Sequence, residues 1–333
     1  VSLTNVDWLE IDLSGSADSF PYLENSLIRL GYPGWVDLCQ IPSTAEEIDR
    51  EMKLPEELRR PLVAADVVPT YCYRVYLPKE GDWQKRLIEL QEEALQLGLQ
   101  CSLGSEVRDE DWAENWKEFY RPLPIGDRLL ILPSWLEPPA GNQREIILLD
   151  PGSAFGTGYH PTTQLCLELL EQSLIGDVSG LQMLDVGTGS GILSVGAWKL
   201  GIRKLLASDC DAVAVKVAGE NLKANGIPVA GVEQVSDPLV PLVFQVQGAG
   251  LGVPADLTPV GGFDLIVANI VAQTLIELCA HLKAALAPGG QLILGGIIDH
   301  RLADLEAAFA AGGLQLKLRC ERDGWYALAM THA

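Results

Sequence analysis

Basic residues are scarce in this chain: 24 lysines and arginines stand against 45 aspartates and glutamates, a formal net charge of −21 over 333 residues. A surface of that sign repels phosphate backbones, so direct nucleic-acid binding is not expected; it attracts basic proteins, or it serves solubility alone. Long hydrophobic runs are lacking as well. No uncharged apolar stretch reaches the roughly 18 residues that a membrane span requires. Val1 to Ser14 carry neither the basic nor the apolar region of a signal peptide. The seven cysteines are odd in number, widely scattered, and form no C-x-x-C pair. They support neither a disulfide frame nor a zinc site, and fit the reduced thiols of a cytoplasmic protein. No metal is expected.

What is present is apolar content for substantial cores, 48% of residues, on a length that suits two domains. The most informative stretch is Asp185-Val-Gly-Thr-Gly-Ser-Gly191. It follows the run Leu181 to Leu184 and opens the helical pattern Ile192 to Leu200. A chain that leaves a strand and turns at once into a helix needs residues without Cβ crowding. Gly187, Gly189 and Gly191 let backbone approach a nucleotide-like ligand at the helix N-terminus. Asp209, 24 residues after Asp185, closes the next strand and is placed to accept hydrogen bonds from ribose hydroxyls. This is the layout of an S-adenosyl-L-methionine site. A nicotinamide dinucleotide fold competes, but its glycines run G-x-G-x-x-G rather than G-x-G-x-G, and here an acid precedes them.

The C-terminal part reads as alternating strands and helices. Strands are expected at Leu181 to Val186, Lys204 to Ser208, Phe263 to Ala268 and Gln291 to Leu294, with helices at Ile192 to Leu200, Ala212 to Asn225 and Val271 to Leu286. Such alternation implies a doubly wound parallel sheet. Ala287 to Gly290 supplies a turn, and the runs Leu314 to Cys320 and Trp325 to Met330 form a terminal hairpin around Asp323-Gly324. This hairpin resembles the antiparallel edge of class I methyltransferases, and the resemblance implies their seven-stranded α/β sheet.

The N-terminal part reads β-α-β-β-α-β. Its elements are expected at Trp8 to Leu13, Ser16 to Leu30, Trp35 to Cys39, Thr70 to Leu77, Trp83 to Leu97 and Gln100 to Leu103, a ferredoxin-like α+β sandwich. Ile41 to Val67 looks inserted. Arg108 to Tyr120 spaces Trp112, Trp116 and Phe119 helically, as a linker helix would. The expected domains are 1–105, the linker 106–122 and 123–333, with a hinge near Arg108 or Arg121-Pro122. Asp237 to Gly262 is longer than an ordinary connection and reads as a surface loop, an extra hairpin, or part of the acceptor entrance.

Two further clusters carry chemistry. Phe155-Gly-Thr-Gly-Tyr-His-Pro-Thr-Thr163 precedes a helix whose Leu165, Leu169 and Leu170 follow its period. Pro161 suits a first turn, so a glycine loop with a helix cap explains part of it. If the loop folds over the cofactor, Thr163 reaches the methionine moiety and Phe155 walls the methyl-transfer zone. His160 is either a general base or a local hydrogen-bonding residue. The second cluster, Asn269-Ile-Val271, ends a strand where an Asn carbonyl can accept N–H bonds from an incoming amine. It resembles the N-P-P-Y box of amide and adenine methyltransferases but lacks both prolines and the aromatic, which disfavours planar acceptors.

With these residues assembled, the chain resembles the bacterial family of methyltransferases that modify the eleventh protein of the large ribosomal subunit. The resemblance runs through Asp111 to Lys117, Leu132-Pro-Ser-Trp135 and, most specifically, Asp150 to Thr163. It implies a substrate-binding domain joined by a flexible linker to a catalytic domain. It also implies methylation of lysine ε-amines and an N-terminal α-amine of that ribosomal protein by a monomer. Carried over by motif, Thr163, Gly187, Asp209 and Asn269 contact the cofactor. The segments 41–67 and 237–262 depart from the family pattern. The alternatives are a methyltransferase for another protein, RNA or a small-molecule amine, and a non-catalytic ribosome-assembly module.

Overall fold

The computed structural model describes residues 8–16, 19, 23, 26–27, 30, 35–37, 70–79, 81–107, 121–149, 158–229, 241–246, 250–253 and 257–333. The chain divides into two compact units, Val1–Tyr120 and Arg121–Ala333. The inserted segment 41–67, the linker helix expected over 108–120, and Phe155 lie outside the described residues.

In the first unit, β1 (Trp8–Ser16), β2 (Trp35–Asp37), β3 (Thr70–Pro78) and β4 (Gln100–Val107) form one sheet in the order β2-β3-β1-β4, antiparallel throughout. Helix α1 (Trp83–Gln96) joins β3 to β4. That order is the one expected of a ferredoxin-like sandwich. Period-two alternation drives it: Leu9, Ile11 and Leu13 enter the core with Tyr73, Val75 and Leu77. Asp12, on the opposite face of β1, takes a bidentate bond from Arg74 at 2.7 and 2.8 Å. Of the helix expected over 16–30, Leu23, Ser26 and Leu27 are described as helical, and both leucines are fully buried in the same core.

The second unit opens with a small sheet absent from the sequence expectations. Strands β5 (Leu123–Ile125), β6 (Leu129–Leu132) and β7 (Glu145–Leu148) pair in that order, β5 antiparallel and β7 parallel to β6. Glu171 fixes the turn by accepting the Asp127 and Arg128 amides at 2.8 and 3.1 Å. Asn225 secures β7, receiving the Leu148 amide at 2.8 Å and returning a bond to its carbonyl at 2.7 Å.

The main sheet has seven strands. Helix α2 (Pro161–Ser173) precedes β8 (Gln182–Val186), α3 (Ile192–Lys199), β9 (Lys204–Asp209), α4 (Ala212–Ala224), β10 (Leu242–Gln245), β11 (Phe263–Asn269), α5 (Ala272–Ala285), β12 (Leu286–Ile298), α6 (Asp299–Ala311), β13 (Leu314–Arg322) and β14 (Trp325–His332). The strand order is β10-β9-β8-β11-β12-β14-β13, parallel through β12, with the terminal hairpin antiparallel. Successive residues of β11 feed opposite faces. Leu265 and Val267 join the core under α2, α3 and α4, while Ile266 and Ala268 join the core under α5 and α6. The class I fold is thus the one expected. Within segment 237–262, however, Leu242–Gln245 is neither loop nor hairpin but the parallel edge strand beside β9. Its Leu-Val-Phe run is buried without alternation, which hid it. Helix α6 also went unassigned, and the expected turn at 287–290 is a bulge inside β12 between the pairs Phe263–Leu286 and Leu265–Gln291. Among the described residues no helix is long and apolar enough to cross a membrane.

Candidate active site

The chain runs outward from β8 through β9 to β10, then crosses back to β11 on the other side of β8. Ligands of open α/β sheets bind at such a reversal, outside the carboxyl ends of the strands. Asp185, Asp209 and Asn269 all stand at those ends, on β8, β9 and β11.

The glycine loop is tied to β9 rather than free. The amides of Gly187 and Thr188 both donate to the Ser208 carbonyl, at 2.8 and 2.9 Å, and the Gly189 amide donates to Asp209 Oδ2 at 2.9 Å. Gly191 is the N-cap of α3 with φ of 82°, and a Cβ there would press within 3.1 Å of the Ala218 backbone on α4. Asn221, one turn further along α4, donates to the Ser190 carbonyl at 2.7 Å. Asp209 Oδ1 accepts the Asp211 amide at 3.0 Å. Each Asp209 oxygen therefore holds one backbone amide, and a carboxylate oxygen has more than one lone pair with which to accept.

Asp185 is fully buried. Its Oδ2 accepts the hydroxyls of Thr188 at 2.8 Å and Ser194 at 2.6 Å, while Oδ1 has no partner among the described residues. Burial raises its carboxyl from 3.8 to about 6, the two hydroxyl bonds opposing and the charge of Asp209 adding to the rise. A carboxyl raised in the native state holds a proton that the unfolded state has lost between about pH 4 and 6. The stability of the ligand-free protein accordingly falls as pH rises through that window, by about 3 kcal/mol from this group. Urea unfolding across the window should show the fall in the parent and lose most of it in Asp185→Asn. A variant with the parental slope would place the titration elsewhere.

At the end of β11, Asn269 Nδ2 donates to Thr163 Oγ1 at 3.3 Å, joining that strand to the first turn of α2. Asn269 Oδ1 is buried and has no partner among the described residues. Gly295 on β12 leaves the room: a Cβ there would lie 2.6 Å from Asn269 Oδ1 and 2.4 Å from the Cys166 thiol. His160 is the N-cap of α2, its Nδ1 accepting the Thr162 amide at 3.3 Å and sitting 2.8 Å from the Thr162 hydroxyl. Burial lowers its pKa to about 4, so the ring is neutral at pH 7. Its ring packs T-shaped against Trp325, 4.7 Å between centroids.

The structure thus brings Asp185, the three glycines and Asp209 into one bonded unit, and Thr163 with Asn269 into another. Ser194, Asn221 and Gly295 were missed. Only Gly295-Gly296 left a sequence signal, since glycines inside a strand mark a close approach of another backbone or side chain.

A family model described as ribosomal protein L11 methyltransferase (PrmA) matches residues 7–333. The chain belongs to the ribosomal protein L11 methyltransferase family. It is similar to the ribosomal protein L11 methyltransferase of Chloroflexus aurantiacus, 37% identical and covering 98% of each chain. The one from Herpetosiphon aurantiacus is 36% identical, over 98% of this chain and 99% of that one. Among solved structures, a ribosomal protein L11 methylase from Lactobacillus delbrueckii subsp. bulgaricus is 35% identical with a TM-score of 0.53, covering 64% of this chain and 99% of that one.

The enzyme is a methyltransferase, and its cofactor is S-adenosylmethionine. The donor set fits that molecule. Asp185 Oδ1 and Asn269 Oδ1 are buried acceptors without partners among the described residues, suited to the N–H groups and positive charge of an amino-acid moiety. Asp209 suits its ribose hydroxyls. At Gly187 a Cβ would strike Ile270 Cγ2 at 2.4 Å, so the loop and the segment after Asn269 approach as closely as a glycine permits.

Proposed function

We propose that this enzyme transfers methyl groups to amino nitrogens of ribosomal protein L11, at lysine ε-amines and the N-terminal α-amine. The observation that carries the reading is the buried Asn269 carbonyl, without a partner among the described residues, at the reversal of a methyltransferase sheet. Thr163, Asp185, Gly187, Gly189, Gly191, Asp209 and Asn269 would hold the cofactor. When bound, S-adenosylmethionine supplies an electrophilic methyl carbon on a sulfonium.

A lysine ammonium with a pKa near 10.4 must first lose a proton, at a cost of about 4–5 kcal/mol at pH 7. An apolar slot offsets part of this by disfavouring the charged form. His160 is assigned the cap rather than the base, because its Nδ1 is engaged and its basicity depressed; the proton then leaves to solvent. Asn269 Oδ1 accepts an N–H of the neutral amine and aims the nitrogen lone pair. Orientation of this kind supplies much of the acceleration. Residues 1–105 recognise the substrate protein, 106–122 link, and 123–333 catalyse, in a cytoplasmic monomer that does not bind nucleic acid directly. The net charge of −21 suits a basic protein substrate.

The test offers labelled S-adenosylmethionine with purified ribosomal proteins, RNA and metabolites. Label is expected in one small basic protein, on amines. Label in RNA or metabolites would replace the proposed substrate, and no incorporation would leave a non-catalytic module.

A further inference from the structure

Arg322 and Trp325 face each other across the terminal hairpin, at the ends of β13 and β14. Directly opposed residues project from the same face, so both side chains leave the hairpin together. Between them, Asp323 and Gly324 have φ of 54° and 76°, the left-handed pair of a tight two-residue turn. Both projecting side chains reach the start of α2. The Arg322 guanidinium donates to Gln164 Oε1 at 2.8 Å and to Glu168 Oε1 at 3.0 Å. The Trp325 ring meets His160 edge-on.

Gln164 passes the first of these contacts onward. Its Nε2 donates to the Tyr159 carbonyl at 2.7 Å. The Tyr159 hydroxyl accepts the Arg121 amide at 2.9 Å and donates to the Arg121 carbonyl, gripping both backbone groups of the first residue of this unit. Burial raises the Tyr159 phenol to about 12, so it remains a donor at any pH the enzyme meets. The segment 159–164 is therefore held from the hairpin at one side and from the start of the catalytic unit at the other. Thr163, which holds the Asn269 amide, lies inside it.

We infer that Gln164 is a positioning residue for methyl transfer, which relays the hairpin residue Arg322 to the Tyr159 peptide and so fixes Thr163 and the aim of Asn269. The amide is suited to this because it accepts from a cation at one end and donates to a carbonyl at the other; no carboxylate or alkyl side chain does both. The inference rests on Asn269 facing the acceptor, and it adds a residue that touches neither cofactor nor substrate.

The test compares Gln164→Leu, which loses both bonds, with Gln164→Glu, which keeps the bond to Arg322 and loses the donor to Tyr159. Steady-state rates, the KM for S-adenosylmethionine and Tm are measured for both, with Asn269→Ala alongside. In both Gln164 variants kcat is expected to fall about tenfold, with the KM for S-adenosylmethionine within about twofold and with Gln164→Glu keeping the parental Tm. Parental kcat in Gln164→Glu would overturn the relay and leave Gln164 a partner of Arg322 only. A kcat loss that merely tracks Tm in both variants would also overturn it. If Asn269→Ala keeps parental turnover as well, the reading of the site falls with it; if Asn269→Ala alone loses turnover, only the relay falls.

Discussion

Asn269→Ala should lower turnover by about two orders of magnitude while cofactor affinity changes far less. The asymmetry follows from how the amide is held. Its Nδ2 is bonded to Thr163 within the protein, whereas Oδ1 is buried with no partner among the described residues. An acceptor kept in that condition costs stability, on the order of 1–3 kcal/mol, unless a ligand donor meets it. In the proposed site the cofactor would have other holds, at Asp209, Asp185 and the glycine loop, so losing one carbonyl would leave most of its binding. The amine of the proposed reaction would have no comparable alternative to aim its lone pair. Single-turnover rates with saturating cofactor, beside calorimetric cofactor affinity, separate the two effects. Parental turnover would remove Asn269 from the acceptor site, and an equal loss in both quantities would make it a cofactor ligand only. Asn269→Asp is informative as a companion: it keeps an acceptor but adds a charge that favours the ammonium form and so slows attack.

Gly296→Ala should be among the most destabilising single changes in the catalytic unit, costing about 2–4 kcal/mol. Gly296 has φ of 76°, and a Cβ would stand 2.3 Å from the Ile270 carbonyl oxygen and 2.8 Å from its carbon. Those are backbone atoms in the residue after Asn269, so no rotamer change relieves the overlap. Either β12 moves away from the end of β11, or the Ile270–Val271 peptide rotates. Tm is expected to fall by roughly 5–15 °C in a unit of this size. The surviving folded fraction should lose activity with it, because the displaced backbone lies one residue after Asn269, whose side chain is proposed to orient the amine. A variant with parental Tm and rate would mean that the two strands are free to separate, against the tight pairing of Asn269 with Gly295.

Much of this was legible in the chain. The glycine loop and Asp209 could be read because strand, turn and helix follow one another within a few residues, and each local preference agrees with the final fold. The terminal hairpin announced itself through Asp323-Gly324, whose positive φ values few other pairs adopt cheaply. The edge strand β10 could not be read, because four apolar-rich residues among prolines and glycines have no period to detect. The small sheet β5-β6-β7 escaped for a similar reason: its strands are three or four residues long, and its turn is fixed by Glu171, far along the chain.

The residues by themselves determined the class of fold and the cofactor, which depend on local spacing and short-range backbone chemistry, while the family was legible only as a resemblance of longer motifs. Only the tertiary structure decided what each polar group does. It made His160 a neutral cap against Trp325, paired Thr163 with Asn269 across 106 residues of sequence, and left Asp185 half-satisfied in the core. Those outcomes depend on which groups are buried together and which lone pairs remain after packing, quantities that exist only once distant strands and helices have met.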